Sequence, residues 1–331
     1  MRTQQTKMAT INIKKGLLIL PIVIILFCGC KKNNTGSVGE KKMEYAGSSE
    51  TLSEGAFDLK TIHSDNYTCF YNGLIAELVN GRFYANKVSQ NADVFNHVKS
   101  SWNRYSPYPA RNVPAVAILG DKMFMAGGII NPATGSVSDD VTIFNLTGGS
   151  VTYAKLSMAR YGIAVAAANG KVLFAGGASN AGYYDVVDIY DANTNEWSVN
   201  TLSQPRATMA TAAVGGKLLF AGGSSNGIYS KVVDIYDTQT GKWSTSSLSK
   251  AQVNSSVTVA GNKIFISGGV VEGAMYSETV EVYDAGTNAW SVINLPGNKI
   301  RATTCANERY VFITTGSEAY GFANRLHIFD T

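Results

Sequence analysis

The chain carries one stretch twice. Residues 173–197 read LFAGGASNAGYYDVVDIYDANTNEW and residues 219–243 read LFAGGSSNGIYSKVVDIYDTQTGKW, each 25 residues long and 46 apart. Repetition at this period restricts the available folds. Each copy is one small unit that cannot bury its own faces and must stack on its neighbours. A glycine pair sets the phase, at Gly127-Gly128, Gly176-Gly177, Gly222-Gly223 and Gly268-Gly269, spaced 49, 46 and 46 residues. A degenerate copy follows 47 residues on at Thr315-Gly316. An aromatic position keeps the same count through Trp102, Val151, Trp197, Trp243 and Trp290. Six copies are visible, beginning near Tyr71, Arg111, Arg160, Arg206, Gln252 and Arg301.

Within a copy the pattern is four short strands. In the fourth copy they are ATMATAAV, KLLFAGG, KVVDIYD and KWSTSSL, with turn signals at Gly215-Gly216 and Gly241. With 33 glycines and only 16% charged residues, and with Val, Thr, Ser and Tyr prominent, the composition favours strands and tight turns over helices. Alternation in VVDIYD puts Val233 and Ile235 on one face and Asp234 and Tyr236 on the other. Four antiparallel strands at a period of 46–49 residues predict an all-β, six-bladed β-propeller. The glycines stand where a strand ends beside the next blade, and the tryptophans wedge between blades. The chain stops at LHIFDT, in the third strand of the sixth copy. A fourth strand must come from elsewhere, and the alternating GAFDLKTI, Gly55 to Ile62, is expected to supply it and close the ring.

The pattern GG…VxxYD…TxxW resembles the Kelch repeat, over about residues 66–331. The resemblance implies a β-propeller, often six-bladed. It is weaker where Val151 replaces the tryptophan and in the sixth copy, which lacks a full glycine pair and a tryptophan. The WD40 repeat has a similar period, but no Gly-His or Trp-Asp signature occurs.

The first 29 residues contain Arg2, Lys7, Lys14 and Lys15 and no acid; the remainder balances 24 bases with 24 acids, so no nucleic-acid-binding charge is left. After the lysines comes GLLILPIVIILF, 12 residues from Gly16 to Phe27. That is shorter than the roughly 20 needed to cross a bilayer as a helix, and it fits an export signal. The next residues, LFCGC, resemble the lipobox of bacterial lipoproteins. The resemblance implies lipidation at Cys30, and Lys31 after it permits outer-membrane sorting. The expected organisation is a lipoprotein signal peptide over 1–29, a flexible tether over 30–54 rich in Ser, Gly, Lys and Glu, and a propeller over 55–331.

Chemistry-bearing residues are few. His63, His97 and His327 have no metal-ligand spacing, and no GxSxG, HExxH, GxxxxGK[ST] or CxxC occurs. No cofactor or metal is expected. Among Kelch-like enzymes, the galactose oxidase type needs a copper ligand set absent here. The sialic acid mutarotase type needs an inward acid–base group, for which Glu77 is a candidate. The acids Asp188, Asp234 and Glu281 recur in register and read as structural.

The most suggestive feature is a basic ring. Arg111, Arg160 and Arg206 each stand 16 residues before the first glycine of their pair, Gln252 takes that register in the fifth copy, and Arg301 lies near it in the sixth. Around a propeller axis these positions converge. They could hold a carboxylate or other anion, with Tyr161 alongside, or could pair with their own acids and loop carbonyls. The loops after the glycine pairs vary between copies and carry Tyr, Asn and Ser. The leading expectation is an envelope-anchored, non-catalytic module that binds a protein or glycan. The alternative is a carbohydrate-active enzyme of the sialic acid mutarotase type.

Overall fold

The structure, a computed structural model, describes residues 8–12, 67–71, 74–79, 82–86, 92–96, 101–106, 108–273, 276–295, 302–306, 309–316 and 323–331. Among these every regular element is a strand. Four sheets carry the repeat pattern in plain form. In the 164–201 sheet, strands Ala164–Ala168, Lys171–Ala175, Val186–Asp191 and Glu196–Thr201 lie side by side in chain order, all antiparallel. The 210–247 and 256–294 sheets repeat this order, as does the 115–155 sheet. The first strands of successive sheets neighbour one another, from Ala115–Leu119 through Ala164–Ala168, Ala210–Val214, Ser256–Ala260 and Thr303–Ala306 to Tyr67–Tyr71. Two of them, AVAAA and ATAAV, are built largely of small residues, which lets the sheets approach closely where they converge.

Both faces of the 164–201, 210–247 and 256–294 sheets are buried against neighbours, which explains apolar residues at both parities of one strand. Phe124, Val172, Phe174 and Tyr190 pack between the 115–155 and 164–201 sheets with Trp197 against them. Leu173, Ile189, Leu218, Phe220 and Tyr236 fill the next layer with Trp243. Leu219, Val233, Ile235, Ile264, Ile266 and Tyr283 fill the one after, with Trp290. Thus Val233 and Ile235 face one neighbour while Tyr236 faces the other, as the alternation requires. Trp197 stacks on Phe174 at 5.9 Å and meets Tyr190 at 5.3 Å between ring centroids. Each fully buried Phe in these layers is worth roughly 1.5–3 kcal/mol over an exposed one.

The first and last copies depart from the expected pattern. The 67–105 sheet has five strands, because Tyr67–Tyr71 pairs with Leu74–Val79, Thr68 opposite Glu77. Glu77 therefore lies on the second strand of that sheet, not the innermost. In the 303–330 sheet the fourth place is taken by Met8–Asn12, which pairs antiparallel with Ala323–Asp330, Met8 opposite Phe329 and Asn12 opposite Arg325. That is the place expected for Gly55–Ile62, which lies outside the described residues. Any short alternating strand can satisfy such an edge, because the ladder is made by backbone groups.

Candidate functional site

Each glycine pair is crossed by the backbone that leads into the next sheet. Gly128 N donates to Arg160 O at 2.9 Å, and Gly177 N to Arg206 O at 2.9 Å. A Cβ on Gly127 would stand 2.5 Å from Arg160 O, and one on Gly176 or Gly222 would collide likewise with Arg206 O or Gln252 O. The second glycine of each pair meets its own sheet's lead-in: a Cβ on Gly128 would stand 2.6 Å from Asn112 O, and one on Gly177 2.8 Å from Tyr161 O. Both positions also hold positive φ, +61° and +104° at Gly127 and Gly128. Close approach and left-handed backbone together demand glycine.

These crossings fix where the arginines point. Arg160 is 0% exposed. Its Nε donates to Gly176 O at 2.7 Å, Nη1 to Met158 O at 2.9 Å, and Nη2 to Phe174 O at 3.0 Å and to Asp188 Oδ2 at 2.7 Å. Arg206, equally buried, donates to Gly222 O, to Val232 O and to Asp234. The acid's second oxygen ties down the linker from the preceding sheet: Ser157 N donates to Asp188 Oδ1 at 2.8 Å, and Ser203 N to Asp234 Oδ1 at 3.1 Å. Burial pulls both guanidiniums below their usual pKa, opposed by the adjacent carboxylates. One Arg–Asp pair thus clamps a lead-in, two strands of its sheet and the preceding linker.

Of the two readings left open for these arginines, this is pairing with their own acids and loop carbonyls, not an open basic mouth. Arg111, Arg160 and Arg206 have no exposed surface to offer an anion, because their donors are turned into their own sheets. Gln252 is also buried, at 2% exposure. Arg301 lies outside the described residues, as does Cys30. Of the expected ligand-contacting set, Tyr161 alone is described at the surface, 36% exposed.

The clamp is incomplete in two sheets. In the 115–155 sheet Arg111 Nη2 donates to Met125 O at 2.7 Å and to Thr142 Oγ1 at 3.1 Å, threonine standing where the 164–201 and 210–247 sheets have aspartate. In the 256–294 sheet Glu281 keeps the acid, accepting from Ser249 N at 3.1 Å and from its hydroxyl, while Gln252 replaces arginine. By strand register His327, 0% exposed, holds the aspartate's place in the 303–330 sheet.

The side chains left for a partner belong to the loops after the glycine pairs. Each loop pairs back on its sheet's lead-in, by Asn112 with Ile129, Tyr161 with Ala178, Ala207 with Ser224, and Gln252–Val253 with Val270–Val271. The loops also touch one another, Asn180 Nδ2 donating to Thr134 O at 3.1 Å. On these loops Ile228 is 73% exposed and Ile130 45%, Tyr183 and Tyr229 are half-buried, and Tyr161 on a lead-in is exposed. Sequence reasoning found the loops by their variation. It missed the two isoleucines, because an apolar residue inside an apolar-rich repeat carries no signal of exposure. Among the described residues no group of three or more His, Cys, Asp and Glu is placed to hold a metal ion.

The family model for the KLHDC2/KLHL20/DRC7 Kelch-repeats domain matches residues 68–254 and, overlapping, 113–306. No curated protein matches the chain.

Proposed function

The chain belongs to the Kelch-repeat family, and from that premise we propose that it is a non-catalytic binding module that holds a protein partner on the surface of its glycine-pair loops. Kelch repeats commonly mediate protein–protein binding. The observation that carries the reading is a contrast between two sets of side chains: Arg111, Arg160 and Arg206 are buried in their own sheets, while Ile228 and Ile130 protrude from the varied loops. Apolar side chains on a polar, tyrosine-bearing rim are the composition of a protein interface. The mutarotase-type alternative loses its anion-holding mouth with the burial of the guanidiniums. A glycan remains the other ligand class that tyrosine and asparagine would suit.

We further propose a closed six-bladed ring carried on a lipid anchor: signal peptide 1–29, tether 30–54 from acylated Cys30, propeller 55–331, at the outer membrane. A chain matured at Cys30 gives up the pairing of Met8–Asn12 with Ala323–Asp330, and Gly55–Ile62 is assigned as its replacement. Mass spectrometry of the mature N-terminus tests this directly. An acylated Cys30 supports it, and an intact Met1 sinks it.

The binding reading is tested by cross-linked capture from intact envelopes, with Ile228→Ser/Ile130→Ser as the comparison. A partner held by the unsubstituted chain should be lost from the double variant while its melting temperature is unchanged. A partner retained equally by both removes the loop surface from the proposal. Stabilisation by a glycan panel, absent with proteins, would move the ligand class to carbohydrate.

A further inference from the structure

The 256–294 sheet keeps the clamp's acid and drops its cation. Glu281 is 1% exposed and Gln252 2% exposed. The only hydrogen bonds described to the Glu281 carboxylate come from Ser249, and Gln252 Nε2 is buried without a hydrogen-bond partner among the described residues. In the 164–201 sheet the equivalent space is filled by a guanidinium among Asp188, Phe174 O and Gly176 O. Strand register transfers those positions one for one. Phe174 pairs with Asp188, and Ile266 pairs with Glu281. The oxygens that receive Arg160 therefore correspond to the Glu281 carboxylate and the carbonyls of Ile266 and Gly268. Glutamine is neutral and ends short of the guanidinium's reach. An ionised carboxylate buried without a positive partner is costly.

We propose that this position is a monovalent-cation site, where Na⁺ or K⁺ takes the part of the missing guanidinium. Its ligands are the Glu281 carboxylate, the Ile266 and Gly268 carbonyls and the amide oxygen of Gln252. All are oxygens, the donors that hard cations select. Which end of a glutamine amide carries oxygen is an assignment, and a half-turn that relieves the unpartnered Nε2 turns Oε1 to the cation. One carboxylate balances one positive charge, as one guanidinium does at Asp188. Dedicated divalent sites draw on several carboxylates, and no cluster of three acidic or other ligating side chains stands here among the described residues. The 115–155 sheet is the converse case. There Arg111 supplies the cation covalently, and Asp140 lies close enough to interact with it.

The test is thermal unfolding of the full chain, followed by tryptophan fluorescence, in KCl, NaCl and N-methylglucamine chloride at one ionic strength. Small cations should raise the midpoint over the bulky one by about 2 °C, saturating with concentration. Gln252→Arg should melt at least as high as the unsubstituted chain and lose the difference between salts, because it supplies the charge covalently. Glu281→Gln should lose the difference as well. Equal midpoints in all three salts overturn the proposal. So does a Gln252→Arg variant that folds and keeps the full salt difference.

Discussion

The 164–201 and 256–294 sheets share strand order, register and glycine pair, yet differ at the clamp. In one, Arg160 and Asp188 neutralise each other within 2.7 Å, and the guanidinium also satisfies three carbonyls. In the other, Gln252 and Glu281 leave the acid's charge unmatched by any side-chain cation described. The backbone path is nonetheless the same in both, with Gly128 N reaching Arg160 O and Gly223 N reaching Gln252 O, each at 2.9 Å. The crossing of backbone over glycine therefore sets the architecture. The ion pair reinforces a path that exists without it.

The sharpest way to break this view is at the complete clamp. Asp188→Ala strands a buried guanidinium and frees the Ser157 amide, and should cost about 3–5 kcal/mol in denaturant unfolding. A loss below about 1 kcal/mol would mean that the pair adds little to packing. Gly176→Ala comes next. Its Cβ would collide with Arg206 O at positive φ, whereas a Cβ on Gly149, at φ +71°, meets nothing within 4 Å. Gly149→Ala should cost about 1 kcal/mol of backbone strain and Gly176→Ala clearly more, the difference measuring the crossing itself. Equal losses would show that the backbone angle alone selects glycine.

Completing a half-clamp is a smaller effect of opposite sign. Thr142→Asp would give Arg111 the carboxylate found in its neighbours and should raise stability by about 1 kcal/mol, because the guanidinium is already desolvated. A destabilised variant would show that the added acid's own desolvation outweighs the pairing. Ile228→Ser, on the exposed loops, should change stability by less than about 0.5 kcal/mol while weakening partner capture.

The smallest effect is expected in acid. The hydrogen bond from Lys171 holds the Asp191 carboxyl below its usual pKa of 3.8. Backbone N–H groups, that of Thr240 first, do the same for Asp237. A carboxyl lowered in the folded state adds stability that is present above its unfolded pKa and lost as pH falls through the folded one. Melting temperature should therefore fall below about pH 4, and Asp191→Asn should flatten that fall slightly.

Much of this was legible in the chain. The glycine and tryptophan counts identify the repeat, VVDIYD names which side chains go to which neighbour, and Asp188 and Asp234, read as structural, are bonded within their sheets. The candidate site was legible only in part. Sixteen residues from arginine to glycine mark a position around the fold but not the direction of the guanidinium, and the spacing left an anion mouth and an internal ion pair both open for Arg111, Arg160 and Arg206. Tyr161 kept its place at the surface.

What the sequence determined by itself is the unit and its period, because local strand pattern and turn chemistry are written within each copy. What only the tertiary structure decided is which polar groups face inward. That depends on a lead-in whose backbone crosses the preceding sheet's glycines while its side chain turns back to carbonyls 14 and 16 residues on, in its own sheet. The guanidinium bonds within its own copy while its backbone crosses the preceding one, and spacing along the chain records neither direction.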